Sequence, residues 1–182
     1  MKFRLLITAS FILLTFLAFF IRIYTSRVTG TVSGNTDLYS CGYVPCVNFF
    51  LYINMDGKVL SVTSEVSNSQ PVIEGLKFNR FIVGDTLETE NNEAFTTIAR
   101  LMNIIKKYGL EENFINKIDV ANLDDIHLYI KNVNVAFGTE KDADEKIRTL
   151  REIMANLRVA EDIQGLLDIR VIGRQYVFKV LT

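Results

Sequence analysis

Two alternating segments in the second half of the chain predict a β-hairpin. Apolar side chains alternate with polar ones over residues 126–131 and again over residues 133–137. This period of two is typical of half-buried strands. The Lys131-Asn132 pair lies between the two segments as a short turn, and Gly138 ends the second strand. We therefore expect two antiparallel strands joined directly to each other.

The apolar spacing changes from two to three and four after this hairpin, which predicts a helix. Thr139 stands three residues before Asp142, a pattern that is typical of a helix N-cap. The predicted helical stripe comprises Ala143, Ile147, Leu150, Met154 and Leu157. Hairpin, glycine and helix are therefore expected to pack as one unit.

Residues before this unit predict a second hairpin and a second helix. Residues 48–55 and 58–63 are strand candidates, and Asp56-Gly57 between them predicts a type I′ turn. Gly109 is expected at C′, just beyond the helix end, with Leu110 making the accompanying apolar contact. The apolar stripe of this helix comprises Ala94, Phe95, Ile98, Leu101, Met102 and Ile105.

Three further segments complete the expected fold. Residues 114–120, 166–172 and 176–181 predict strands. The order is then strands, helix, three strands, helix and two strands. This order predicts an α+β domain in which two helices pack on a mostly antiparallel sheet.

The N-terminus carries a long uncharged apolar segment. Residues 5–21 contain no charged side chain and would span roughly 26 Å as a helix. We interpret residues 5–24 as a single membrane-spanning anchor after a short cytoplasmic tail, residues 1–4. A cleaved signal peptide is the alternative, because Lys2 and Arg4 suit its n-region. The length of the segment and the absence of an A-x-A-like cleavage site favour the anchor.

Composition narrows the classes of function. The formal net charge is -1, so there is no bias toward nucleic acid. One histidine and two cysteines exclude a metal site built on several of these residues. We expect no cofactor and no metal.

The segment between anchor and domain is rich in Ser, Thr, Gly and Asn, and residues 25–47 are interpreted as a linker. The folded domain is then expected to begin at about Cys46 and to occupy residues 48–182. Cys41 and Cys46 could form a disulfide in an oxidising compartment, or remain two thiols.

Candidate chemistry is sparse. His127 alternates with the apolar face of its strand, so we expect it to face solvent without a catalytic role. Acidic residues are expected at turns and on solvated helix faces: Asp124, Asp125, Asp142, Asp144, Glu145, Glu161 and Asp162. The residues therefore favour a membrane-tethered interaction protein over an enzyme, with no small-molecule substrate.

An ordered series of short motifs resembles the extracytoplasmic β domain of FtsQ/DivIB cell-division proteins. The resemblance covers residues 50–182. The motifs are Asp56-Gly57-Lys58-Val59-Leu60, Pro71-Val72-Ile73-x-Gly75, Gly84, Leu87, Ile118-Asp119-Val120, Ile126-x-Leu128, Val135-x-Phe137-Gly138, Lys146 and Leu167-Asp168-Ile169-Arg170.

The resemblance implies a non-catalytic scaffold of the division machinery. It implies a single-pass protein of the cell membrane and division septum that regulates septal wall synthesis. The implied partners are small bitopic coiled-coil proteins of the FtsL and FtsB/DivIC types. Such proteins usually carry a POTRA domain between anchor and β domain, whereas residues 25–47 are too short for one.

The resemblance also implies where the partner binds. In the family the last strands form the edge that receives the partner by strand addition, and these strands match residues 170–178. The implied contacts are Arg170, Val171, Tyr176 and Phe178, although Val171 stands where an aromatic often occurs. The alternative function is a membrane-anchored extracytoplasmic enzyme or sensor unrelated to division.

The apolar N-terminus generates a prediction of topology. We expect residues 5–24 to be retained as one span, with the rest of the chain outside the cytoplasm. N-terminal sequencing of the protein purified from membranes tests this. A mature N-terminus beyond Tyr24 would show instead that the segment is a cleaved signal peptide.

Overall fold

A computed structural model describes residues 40–67, 69–110, 115–156, 164–174 and 176–181. The predicted tail, the predicted anchor, most of the predicted linker, Phe114, Leu157, Glu161 and Asp162 lie outside these ranges. The strands are β1 (Ser40–Cys46), β2 (Phe49–Asn54), β3 (Val59–Thr63), β4 (Val72–Glu74), β5 (Lys117–Asp119), β6 (Ile126–Ile130), β7 (Val133–Gly138), β8 (Gly165–Asp168) and β9 (Val177–Val180). The helices are α1 (Glu93–Lys107), between β4 and β5, and α2 (Ala143–Asn156), between β7 and β8.

All nine strands join one sheet in the order β3-β2-β1-β4-β5-β6-β7-β8-β9. Most neighbouring pairs are antiparallel, which confirms the predicted sheet type. The pairs β1/β4, β4/β5 and β7/β8 are parallel. Two of these parallel pairs arise because α1 and α2 are crossover helices, each returning the chain to the strand beside the one it left.

The buried side chains of the strands and helices form one core cluster on one face of the sheet. Its central strand residues include Ile118, Leu128, Val135 and Leu167, which lie beside one another across β5 to β8. The predicted stripes of α1 and α2 cover them, since Leu101 and Leu150 are fully buried. The other face, which we call the open face, carries the alternate side chains of the same strands.

The β6–β7 hairpin and α2 form the predicted unit, but the helix starts later than expected. Thr139 is not the N-cap, because α2 begins at Ala143. Asp142 precedes it in a left-handed conformation with φ 57°, and its carbonyl accepts the Lys146 N–H at 3.0 Å. A tight turn between strand and helix therefore replaces the simple cap that the motif predicted.

The end of α1 matches its prediction. Gly109 has a φ of 65°, and its N–H donates to the Lys106 carbonyl at 3.0 Å. The Leu110 N–H donates to the Ile105 carbonyl at 3.1 Å, and the Leu110 side chain is buried. These two bonds form a Schellman ending, which satisfies the last carbonyls of the helix.

The turn between β2 and β3 is longer than predicted. Asn54 and Lys58 pair across a three-residue loop, and the Gly57 N–H donates to the Asn54 carbonyl. Only Gly57 in this loop has positive φ, so the predicted type I′ turn at Asp56-Gly57 is wrong. The Asn54 side chain stabilises the longer loop because its Oδ1 accepts the N–H groups of Asp56 and Lys58.

The folded part of the chain begins earlier than Cys46. Residues 40–43, predicted as the end of the linker, are buried in β1, which pairs with both β2 and β4. Both cysteines are free thiols on this strand. Five residue steps along the strand place their Cα atoms about 16 Å apart, far beyond the reach of a disulfide. Cys41 is a side chain of the core cluster, and its burial raises the pKa of the thiol to about 12.

Two predicted strands are shorter than expected. β5 covers Lys117–Asp119 only, and β8 ends at Asp168 instead of continuing to residue 172. The Asp168 carboxylate accepts the Arg170 N–H at 3.1 Å. This local bond competes with the strand ladder and turns the chain after β8.

The position of Leu150 generates a stability prediction. Leu150 is 0% exposed in the core cluster, so Leu150→Ala leaves a cavity and should lower the free energy of unfolding by about 2–5 kcal/mol. Chemical denaturation of the purified full chain measures this loss. The control is Arg151→Ala, an exposed position on the same helix, which should cost less than about 0.5 kcal/mol. Equal, small effects would mean that α2 presents another face to the sheet.

Candidate functional site

The last strand lies at an edge of the sheet. β9 pairs antiparallel with β8 on one side, and among the described residues no strand pairs with its other side. The Leu181 N–H extends this pairing by donating to the Gln164 carbonyl at 2.9 Å. Val177, Val180 and Leu181 are each more than half exposed. β9 therefore presents free backbone groups together with exposed apolar side chains.

A groove of about 570 Å³ runs along β8 and β9 on the open face. The register of β8 and β9 places its central lining residues on one face, because Leu166 is opposite Lys179 and Asp168 is opposite Val177. The residues that line it are Leu166, Asp168, Arg170, Val171, Arg174, Tyr176, Val177 and Lys179. Three of the four predicted contact residues line this groove, Arg170, Val171 and Tyr176, and Tyr176 also packs against the core cluster.

Phe178, the fourth predicted contact residue, points to the other face. It is opposite Leu167 in the register and packs against the core cluster. A Cβ atom on Gly165 would lie 2.2 Å from the Phe178 ring, so the ring covers that glycine closely. Phe178 therefore helps to attach β9 to the domain instead of lining the groove.

Arg170 is held in one orientation by Asp168. Its Nε donates to Asp168 Oδ1 at 3.0 Å and its Nη2 donates to Oδ2 at 2.6 Å. Asp125 lies at 4.0 Å from Nη1. The bonds from Arg170 hold the pKa of the Asp168 carboxyl below its ordinary value of 3.8, although partial burial acts in the opposite direction. A bidentate pair of this kind fixes the plane of the guanidinium group beside the groove.

The groove carries two further cations that sequence reasoning did not include as contacts. Arg174 and Lys179 are exposed, and their side chains take part in none of the side-chain hydrogen bonds or ion pairs found in the described ranges. Val177 and Leu166 supply apolar surface between them. The alternation along β9 already placed Val177 and Lys179 on one face. Only the packing of the sheet shows that this face is the uncovered one.

His127 lies on the open face, as predicted, and contacts two polar side chains. Its Nδ1 lies 2.7 Å from Asn134 Oδ1, and its Nε2 lies 3.5 Å from Asp125 Oδ2. Within the part of the chain that the structure describes, no three His, Cys, Asp or Glu side chains are grouped as metal ligands. The groove thus combines a fixed charged pair, two exposed cations and apolar surface.

Comparison with known proteins identifies the family of this chain. The family model for "FtsQ/DivIB, C-terminal related" matches residues 47–171, more than half of the chain. The chain belongs to the FtsQ/DivIB family. Cell division protein DivIB of Clostridium botulinum strain Hall is 24% identical over 127 residues, which are 69% of this chain and 49% of that protein. DivIB of strain Loch Maree is 23% identical over 125 residues, 68% of this chain and 48% of that protein.

This FtsQ/DivIB-family chain therefore spans about half the length of the curated relatives it matches. No solved structure matches the chain. Within the ranges that the structure describes, no helix is long and apolar enough to cross a membrane, and the predicted anchor lies outside them. Both of these relatives are cell-division proteins.

The Asp168–Arg170 pair generates a pH prediction. The pair stabilises the fold fully at pH values above 3.8, the ordinary carboxyl pKa. This stabilisation is lost as the pH falls through the lowered pKa of Asp168 in the folded state. In Arg170→Gln the pKa of Asp168 should rise toward its ordinary value. Carbon-13 NMR of the Asp168 carboxyl as a function of pH measures its pKa in the parent and in the variant.

The matched control for this titration is Arg80→Gln. Arg80 forms an exposed pair with Glu88, so this change also removes one paired arginine but leaves Asp168 untouched. The Asp168 titration should not move in the control. An identical Asp168 midpoint in the parent and in Arg170→Gln would contradict the electrostatic role of the pair.

Proposed function

We propose that this FtsQ/DivIB-family protein is a non-catalytic scaffold of the division machinery. In this proposal residues 5–24 anchor it in the cell membrane as a single span and residues 48–182 lie outside the cytoplasm at the division septum. It binds small coiled-coil division proteins of the FtsL and FtsB/DivIC types and thereby helps to regulate septal wall synthesis. The observation that carries the proposal is the unpaired edge of β9 beside the groove.

Strand addition is the binding mode that this edge supports. A strand with one unpaired side presents N–H and C=O groups that an extended partner segment satisfies by main-chain hydrogen bonds. Such bonds are available to any extended chain, so they provide affinity without selectivity. Side chains that flank the edge must therefore select the partner.

The groove supplies that selection. Val171 and Val177 are about half exposed and offer apolar contact, while Arg170, Arg174 and Lys179 give the groove a positive charge. A partner segment with apolar residues and carboxylates complements this lining. Lys179 also has a protective role, because a charged side chain on an edge strand discourages indiscriminate pairing with other strands.

The short length of the chain limits which parts of the family's function we assign. The match covers about half of each DivIB relative. In this proposal the partner-binding function lies in the β domain and its edge. No nucleic acid and no small-molecule substrate are part of the proposal.

Point substitutions in the groove test the proposal. Arg170→Glu reverses the fixed charge, and Tyr176→Ala removes a partly buried aromatic surface. Each should weaken binding of the FtsB/DivIC-type protein from the same genome by about tenfold or more, since losses of about 1.4 kcal/mol are typical of such contacts. Calorimetric titration of the purified full chain measures the affinity, and circular dichroism confirms folding.

Lys58→Glu is the charge-matched control. Lys58 is exposed beside β3, at the opposite edge of the sheet, so the same charge reversal there should leave partner affinity unchanged. If folded Arg170→Glu and Tyr176→Ala both bind like the parent, the partner docks elsewhere and the edge-strand proposal is wrong.

A further inference from the structure

Lys146 is a buried cation that the proposed binding site does not contain. The residue is 3% exposed, although it lies on a helix near the surface. Its Nζ donates to the Phe137 carbonyl at 3.0 Å and to the Thr139 carbonyl at 2.8 Å. The ammonium also lies 4.9 Å from the centre of the Phe137 ring. None of the ion pairs found among the described residues includes Lys146.

Burying this cation without a carboxylate in contact costs free energy, so the two hydrogen bonds of its ammonium must stabilise the fold. Burial lowers the pKa of the Lys146 ammonium below its ordinary value, with Asp142 acting in the opposite direction and Lys141 in the same one. Both acceptors are main-chain carbonyls where the chain leaves β7. The two bonds satisfy the ammonium and tie it to the backbone on both sides of Gly138. Lys146 therefore holds the exit of β7 in one conformation.

Gly138, the residue between these two carbonyls, contacts Arg170. Gly138 has a φ of 73°, which favours glycine. A Cβ atom added to it would lie 3.0 Å from Arg170 Cγ and 3.4 Å from Arg170 Cβ. The aliphatic part of Arg170 therefore lies directly over Gly138, while the guanidinium group continues to Asp168 and the groove.

These contacts form a continuous connection from the buried helix face to the binding groove. We infer that Lys146 is a positioning residue: by holding the carbonyls on both sides of Gly138, it sets the surface on which Arg170 lies and so orients Arg170 for partner binding. The expected effect of Lys146 on partner binding rests on the proposed function. The structural part of the inference, the orientation of Arg170, can be measured without a partner.

Lys146→Met tests the inference, because methionine keeps most of the aliphatic volume and removes the donors. In the full chain it should weaken binding of the FtsB/DivIC-type protein from the same genome by about tenfold, measured at a temperature at which the variant is folded. The matched control is Arg151→Met, which removes a cation from the exposed face of the same helix and should leave affinity unchanged.

A double-mutant cycle separates positioning from general destabilisation. If Lys146 acts through Arg170, then Lys146→Met should have no further effect on affinity in an Arg170→Ala background. A general structural role predicts the same loss in both backgrounds. Equal losses in the two backgrounds would therefore overturn the inference.

The partner-independent measurement is the NMR signal of Arg170 Nε–H together with the pKa of Asp168. Lys146→Met should shift the Nε–H signal and raise the Asp168 pKa, because a displaced guanidinium bonds the carboxylate less well. If neither changes in the folded variant, Lys146 does not position Arg170. If both change but the parent does not bind the partner, the positioning role stands and the proposed function fails.

Gly138→Ala provides a second route if Lys146→Met does not fold. The added methyl group would meet Arg170 Cγ at 3.0 Å while both lysine bonds remain possible. The same shift of the Arg170 Nε–H signal and the same rise in the Asp168 pKa are expected. An unchanged Arg170 signal in the folded Gly138→Ala variant would contradict the contact on which the inference depends.

Discussion

Burial of one sheet face beneath α1 and α2 is the constraint on which the strand order depends. Removing apolar surface from water stabilises the fold by about 25 cal/mol per Å², and each helix can bury its stripe only by lying across the strands that flank it. The chain therefore crosses over the sheet twice, adding β5 beside β4 and β8 beside β7. Every later strand is added farther out, which leaves β9 at the edge.

This outward growth also explains why binding features gather at the end of the chain. Interior strands have partners on both sides, so their backbone groups are satisfied within the domain. Among the described residues β9 has one partner strand, so one of its sides retains free backbone groups together with the charges of Arg174 and Lys179. An edge of this kind is a hazard when any strand can pair with it, and it becomes a selective site when flanking side chains limit the partner.

The exit of β7 connects the buried layer with this edge. Gly138 allows a backbone conformation that other residues adopt at a cost, Lys146 satisfies the carbonyls on both sides of it, and Arg170 covers it. The same short segment thus ends a core strand, begins the turn to α2 and supports a groove residue.

The sequence by itself determined the elements whose signals are local. Alternation predicted β6 and β7, the apolar stripes predicted both helices, and Gly109 with Leu110 predicted the end of α1, because each depends on neighbouring residues only. Only the tertiary structure decided the parallel pairings, the place of Ser40–Cys46 in the sheet and which face of β9 is uncovered. A period of two defines two faces but cannot say which one the helices cover, so it could not show that Phe178, a contact residue implied by the family resemblance, packs on the core side.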